Sequence, residues 1–193
     1  MDGTGRSDTY GGKALNRRAR GEPPQKGRGV MSTSAQLEIR RTGPEDAPVI
    51  SAVLYESFVE FKPLYTEGGF AATALGAEQV LARMREGPVW MALREGVEVG
   101  TAAAVVKGES VYIRGMAVLP AARGWGAGTA LLQLVEDWAS GQGCGRLFLS
   151  TTPFLSSAIR LYERCGFRRT DDGLHDLFGT PLFTMERVLH SRV

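Results

Sequence analysis

The 193-residue chain is 43% hydrophobic and 23% charged, as ordinary globular domains are, which excludes a coiled coil, a fibre or a wholly disordered chain. Its 25 glycines follow no G-X-Y period, so collagen is excluded, and no apolar run approaches the ~18 residues of a membrane-spanning helix. The net charge of +2 is unevenly spread: residues 1–29 hold seven Lys/Arg against three acids, leaving 16 against 18 in the remainder.

Residues 1–35 are therefore expected to form a disordered basic tail. They are rich in Gly, Arg, Pro and Ser and have too little apolar surface to offset the entropy of ordering. They lack the apolar stretch of a secretory signal, and Met31 reads as an alternative start. The basic balance belongs to this tail, so no nucleic-acid partner is expected for the body, residues 36–193.

Leu37–Arg40 alternates as a short strand. Thr42-Gly43-Pro44-Glu45-Asp46 is a helix-start signal, and Ala47, Ile50, Val53 and Leu54 recur at helical spacing. That helix should run to about Phe61 and stop at Lys62-Pro63. Ala77–Arg85 reads as a second helix, ended by Gly87-Pro88. Strands follow at Val89–Leu93 and Val99–Val106, joined by a turn at Arg94-Glu95-Gly96. Ser110–Val118 is a further strand, and Gly115 inside it marks a bulge or a close approach. A helix over Gly126–Ser140 carries Leu131, Leu134, Val135 and Trp138 on one face. Then come a strand at Arg146–Thr151, a helix at Ser156–Cys165, and last strands at Phe167–Thr170 and Leu182–Leu189. The pattern predicts one three-layer α/β/α domain around a mixed six- to seven-stranded sheet. Asp171–Phe183 falls in the connection between the last two strands.

The segment with chemical content is Arg123-Gly124-Trp125-Gly126-Ala127-Gly128-Thr129. It leaves a strand and opens a helix. Its alternating glycines uncover backbone N–H groups beside the positive end of the helix dipole, which makes an anion cradle suited to a pyrophosphate. It is no Walker loop, because the lysine is missing. A dinucleotide fingerprint also fits badly, since the next strand ends without an acid. A glycine turn without a ligand stays open on the glycines alone.

Arg123-x-x-Gly126-x-Gly128, with Val118-x-Pro120 before it, resembles the acetyl-CoA-binding motif of the GNAT superfamily of N-acetyltransferases. Ala158-Ile-Arg-Leu161-Tyr162-Glu163-Arg164-Cys165-Gly166-Phe167 is similar to that family's second signature, A-x-x-L-Y-E-x-x-G-F. The likeness covers about residues 37–189. It implies a splayed sheet, with acetyl-CoA as cosubstrate and a small-molecule or protein amine as acceptor. It implies that Met116, Ala117 and Val118 meet the pantetheine arm and its acetyl carbonyl. Arg123, Gly124, Gly126, Ala127, Gly128 and Thr129 then hold the pyrophosphate, and Tyr162 protonates the departing thiolate. The family often has Asn where this chain has Leu155; Ser156 and Ser157 are the nearby polar substitutes.

The general base is the open position, with Glu56 and Glu60 as candidates on the first helix, where the surrounding Phe58, Phe61 and Tyr65 suit a site wall; the plain alternative for both carboxylates is a solvated helix face. His175 is a candidate substrate contact against an ordinary loop residue. Neither His175 with Asp176 nor His190 has metal-ligand spacing to a cysteine, so no metal is expected. Cys144 reads as a turn residue and Cys165 as a buried thiol, and the two make no disulfide framework. That usage fits a reduced, cytoplasmic setting, with no membrane partner and a monomer or homodimer. The alternative function is a non-catalytic acyl-CoA-binding or interaction module on the same fold.

Overall fold

The computed structural model describes residues 36–189. The tail reading for residues 1–35 and His190 lie outside the described residues. In chain order the elements are β1 (Leu37–Arg41), α1 (Ala47–Phe58), α2 (Glu67–Thr73), α3 (Ala77–Glu86), β2 (Val89–Arg94), β3 (Val97–Lys107) and β4 (Ser110–Val118). They continue with α4 (Ala127–Gly141), β5 (Arg146–Thr151), α5 (Ser156–Arg164), β6 (Arg168–Leu177) and β7 (Thr180–Val188).

The seven strands form one sheet in the order β1-β2-β3-β4-β5-β7-β6. Every described neighbour pair is antiparallel except β4 and β5, which are parallel. Side chains alternate across each strand, so the sheet separates two cores. On one face Trp90, Ala92, Val111 and Ile113 pack with Leu131 and Val135 of α4 and with Tyr162 of α5. On the other face Val89, Met91, Ala103 and Ala117 pack with Ile50, Val53 and Leu54 of α1 and Val80 of α3. This is the expected three-layer α/β/α architecture.

Arg40 fixes the entry to α1. Its guanidinium holds Asp46 through bonds of 2.8 and 2.6 Å, and Gly43 N–H donates to the same carboxylate at 2.9 Å. The Arg40 bond holds the Asp46 carboxyl below the usual carboxylate range, against burial that acts the other way.

Three elements depart from the sequence reading. The α-helical part of α1 ends at Phe58 and tightens into 3₁₀ turns over Val59–Leu64, with Pro63 inside them. Gly68-Gly69 belongs to α2, which was not expected there. Thr66 caps this helix by accepting from Gly69 N–H. Finally, residues 171–183 are not a loop. β6 runs to Leu177 and forms a hairpin with β7. Its register shifts between Arg169 and Leu174, so residues 170–173 bulge out of the ladder. The hairpin turns at Phe178 and Gly179, both at positive φ.

The glycines of α2 and this hairpin explain each other. A side chain at Gly69 would collide with Thr180 Oγ1, and one at Gly68 would come within 2.8 Å of Phe178 Cβ. Thr66 Oγ1 donates to Phe178 O at 2.6 Å, and Thr180 Oγ1 accepts from Thr66 N–H at 3.0 Å. Residues that read locally as helix breakers are small because a distant hairpin lies on them.

Candidate active site

β4 and β5 pair only from Ser110/Arg146 to Ile113/Leu149. Both strands continue, β4 to Val118 and β5 to Thr151, without pairing to each other. On its other side β4 stays paired to β3, but one extra residue enters β4 between Arg114 and Ala117. Gly115 sits in that bulge at φ 57°. The bulge changes the phase of the strand: Val111 and Ile113 point into the α4 core, whereas beyond it Ala117 points into the α1 core. Leu119 N–H donates to Val99 O at 2.9 Å on the β3 side. Strand alternation then turns the Val118 and Met116 amides toward the gap.

The gap opens into a cleft of about 730 Å³. Met116, Ala117, Val118 and the loop residues Arg123, Gly124, Gly126, Ala127, Gly128 and Thr129 all line it, as does Tyr162. The sequence-predicted cofactor residues and the predicted acid thus share one cavity. Gly124 and Gly126 have φ of 84° and 88°. No atom lies within 4 Å of where their Cβ would be. Gly126 is also the N-cap of α4 and supplies no side-chain cap, and Ala130 N–H is bonded to Gly126 O at 2.9 Å. The amides before Ala130 open the helix and face a region that no side chain covers. Gly128 differs in kind: a Cβ there would come within 2.7 Å of Leu161 Cδ2, so this glycine lets α5 approach α4.

Tyr162 is 6% exposed, and its ring lies 6.0 Å from that of Phe167. Burial, with a smaller contribution from nearby Tyr65, pushes its hydroxyl well above the ordinary 10.0, so it carries its proton throughout the neutral range. Burial also pushes Tyr65 up, against the neighbouring hydroxyls of Thr73 and Thr152.

The structure joins two residues that the sequence reading treated separately. Arg123 Nη1 pairs with Glu60 Oε1 at 2.5 Å, and Arg123 Nη2 donates to Ser57 O at 3.0 Å. The Arg123 side chain thus ties the loop to the end of α1. Glu60 touches the cleft through this pairing and is not itself a wall residue. Glu56 is exposed on α1 and is no wall residue either. His175 stands on β6, exposed, with Nε2 3.3 Å from the cleft residue Ser150. Leu155, Ser156 and Ser157 all line the cleft. The thiols exchange their expected places: Cys144 is buried and Cys165 only partly so.

The acetyltransferase (GNAT) family model matches residues 52–167. The chain belongs to the GNAT family of acetyltransferases. It is 31% identical over 141 residues to an uncharacterized N-acetyltransferase of Escherichia coli, YjgM, covering 70% of this chain and 84% of that one. Two solved structures share the fold. PaiA N-acetyltransferase of Thermoplasma acidophilum, in complex with coenzyme A, aligns with a TM-score of 0.68 at 19% identity, over 79% of this chain and 99% of its own. YncA, a putative acetyltransferase of Salmonella typhimurium with acetyl-CoA, gives 0.63 at 24% identity, over 81% and 96%.

Sequence reasoning missed several wall residues of this GNAT cleft. Ala72 and Thr73 come from the α2 region, Leu177 and Leu182 from the hairpin, and Arg83 from α3. Phe58, Phe61 and Tyr65, the apolar cluster expected to form a site wall, do line the cleft. Among the described residues no group of His, Cys, Asp and Glu is placed to hold a metal ion. No described helix is long and apolar enough to cross a membrane.

Proposed function

We propose that this chain catalyses acetyl-CoA-dependent transfer of an acetyl group to an amine by direct attack. The observation that carries this reading is the divergence of β4 from β5 beyond Ile113, with the uncapped loop 123–129 and Tyr162 lining the same cleft. The residues present fit the cosubstrate. Bare amides at a helix N-terminus suit a pyrophosphate, and an unladdered strand edge suits the amide-bearing pantetheine arm. Bound acetyl-CoA supplies the thioester that the amine attacks.

The chain's own groups then divide the work. The amides of Gly124, Gly126, Ala127, Gly128 and Thr129 hold phosphate oxygens. The outward amides of Met116 and Val118 orient the arm, and that of Met116 polarises the acyl carbonyl, since the Ala117 amide faces β3. Tyr162 keeps its proton until charge develops on sulfur and then donates it. No Asp or Glu among the described residues lines the cleft. The proton of the incoming ammonium therefore leaves through water, with Glu60 at the rim as the candidate carboxylate to receive it.

Release of free thiol from acetyl-CoA across a panel of amines tests the reading, together with calorimetric titration of CoA. Amine-dependent thiol release with CoA bound at the loop is the expected result. CoA binding without thiol release from any amine, in the presence of every acceptor class, favours the non-catalytic module instead.

A further inference from the structure

The cleft has a one-sided charge. Its charged wall residues are Arg83, Arg114, Arg123, Arg160 and Arg164. Arg123, Arg160 and Arg164 lie on the glycine loop and α5. Arg83 and Arg114 lie elsewhere, on α3 and β4, on the side of the sheet that packs against α1.

These two have no task in the acetyl-transfer reading. Arg83 makes no ion pair among the described residues, and its Nη1 lies against Gly115, where a Cβ would collide with it. The guanidinium therefore sits on the bulge where the two strands part. Burial, and then the charge of Arg114, pull Arg83 down to about 10. Arg114 Nη2 pairs with Glu86 Oε2 at 2.9 Å, and its buried Nε has no acceptor. Glu86 is half exposed, at 49% of its side chain. Beside the pair, Tyr112 stacks on Phe148 with ring centroids 5.0 Å apart and planes at 22°. The site thus has two like charges, an unsatisfied donor and an aromatic edge.

We propose that Arg83 and Arg114 bind an oxyanion on the acceptor itself, so that the acetylated amine belongs to a molecule carrying a carboxylate, of the amino acid or short peptide class. The inference rests on the acetyl-transfer reading and narrows its substrate. Guanidinium groups match a carboxylate or a phosphate edge with paired N–H donors, and desolvation strengthens the bond. An oxyanion there also relieves the repulsion between the two arginines. A polyamine meets the opposite situation, because no wall carboxylate balances its extra charges.

The test is a thiol-release panel with the common amino acids, their α-amides, O-phosphoethanolamine and spermidine. Amino acids should exceed their amides by about 10-fold or more in kcat/KM, as expected for a charge-assisted pair. Arg83→Met and Arg114→Met should each erode that ratio. Amides equal to acids, or spermidine as the best acceptor, would overturn the proposal. Phosphoethanolamine as the best acceptor, with the same arginine dependence, keeps the oxyanion site and overturns the carboxylate. A second readout needs no turnover: sodium propionate, against sodium chloride at equal ionic strength, should raise the melting temperature of the CoA-loaded protein by about 2 °C. Arg83→Met should abolish that shift, and its absence from the unmodified protein would overturn the site. Arg83→Met removes an unpartnered charge, so it should fold at least as stably. Failure of the unmodified protein to bind CoA by calorimetry strikes the acetyl-transfer reading alone, because propionate can then be tested without CoA.

Discussion

The two ends of the cleft present positive potential in different ways. At the α4 end the available donors are the backbone amides of Gly124 and of Gly126 through Thr129, where little side chain covers them. At the α3 end the donors are two arginine side chains from separate elements, brought together by the packing of α3 on the sheet. An amide cradle is a property of local sequence, because only glycine gives the chain positive φ at Gly124 and Gly126 with the N–H groups bare. A side-chain pair is a property of the tertiary fold, and neither residue signals it alone.

The sharpest way to break this comparison is Gly126→Asp. It forces a side chain into the left-handed region and sets a carboxylate where phosphate oxygens belong. CoA affinity by calorimetry should fall by about 100-fold or more, with the far end of the cleft unaffected. Unchanged affinity would mean that the amides do not form the cradle.

Tyr162→Phe comes next and tests the middle of the cleft. The ring keeps its packing against Phe167 and only the hydroxyl is lost. We expect kcat to fall by about 10²-fold, the lower end for general acid catalysis because a thiolate leaves readily, with CoA affinity held. The raised Tyr162 hydroxyl makes a further demand on pH. A proton donor titrating well above pH 10 stays protonated, so kcat/KM of the unmodified enzyme should show no alkaline limb below pH 10. An alkaline limb near pH 8 assigns the proton to another group.

Gly128→Ala sharpens the contrast within the loop. Gly126 faces open space, whereas Gly128 faces Leu161. Its alanine variant should lose about 1–3 kcal/mol of stability in denaturant unfolding from overpacking at that contact. A fully stable variant that binds CoA poorly would place Gly128 with the amide donors alone.

The smallest effect is expected from Glu60→Gln. Glu60 is paired to Arg123 and sits off the wall, so kcat should change by about 3-fold or less if water takes the proton. In both proteins the rate should rise with pH through the acceptor amine's own titration. A loss of about 10²-fold, with that pH dependence altered, makes Glu60 the base.

Much of the fold was legible because its signals are local. The strand at Ser110–Val118, the bulge at Gly115 and the loop into α4 each follow from a few neighbouring residues. The α2 helix was not legible, since Gly68 and Gly69 are small for the sake of Thr180 and Phe178. The long β6–β7 hairpin escaped because Asp171-Asp172-Gly173 looks like a turn, whereas the chain turns at Phe178-Gly179. In the site, each cofactor residue named from the motif lines the cleft, but Glu60 and Arg123 proved to be each other's partner. No pattern in a linear sequence states which guanidinium a carboxylate will meet.

The extra residue in β4 has a consequence for how this chain tolerates length changes. A strand is a two-colour tape, and the bulge is the one place where this tape repeats a colour. Deleting Gly115 removes the repeat and leaves the colours on both sides of it in step: Met116 still faces the α4 layer and Ala117 the α1 layer, each opposite the same β3 residue. Neither hydrophobic layer loses a contact by that cut; what disappears is the local kink at the point where β4 parts from β5. An insertion at the Gly108 or Gly143 turns, where nothing crowds the backbone, leaves the colours in step. Engineered lengthening should therefore succeed at those turns, whereas shortening β4 at Gly115 should leave a folded protein whose cleft has lost its opening.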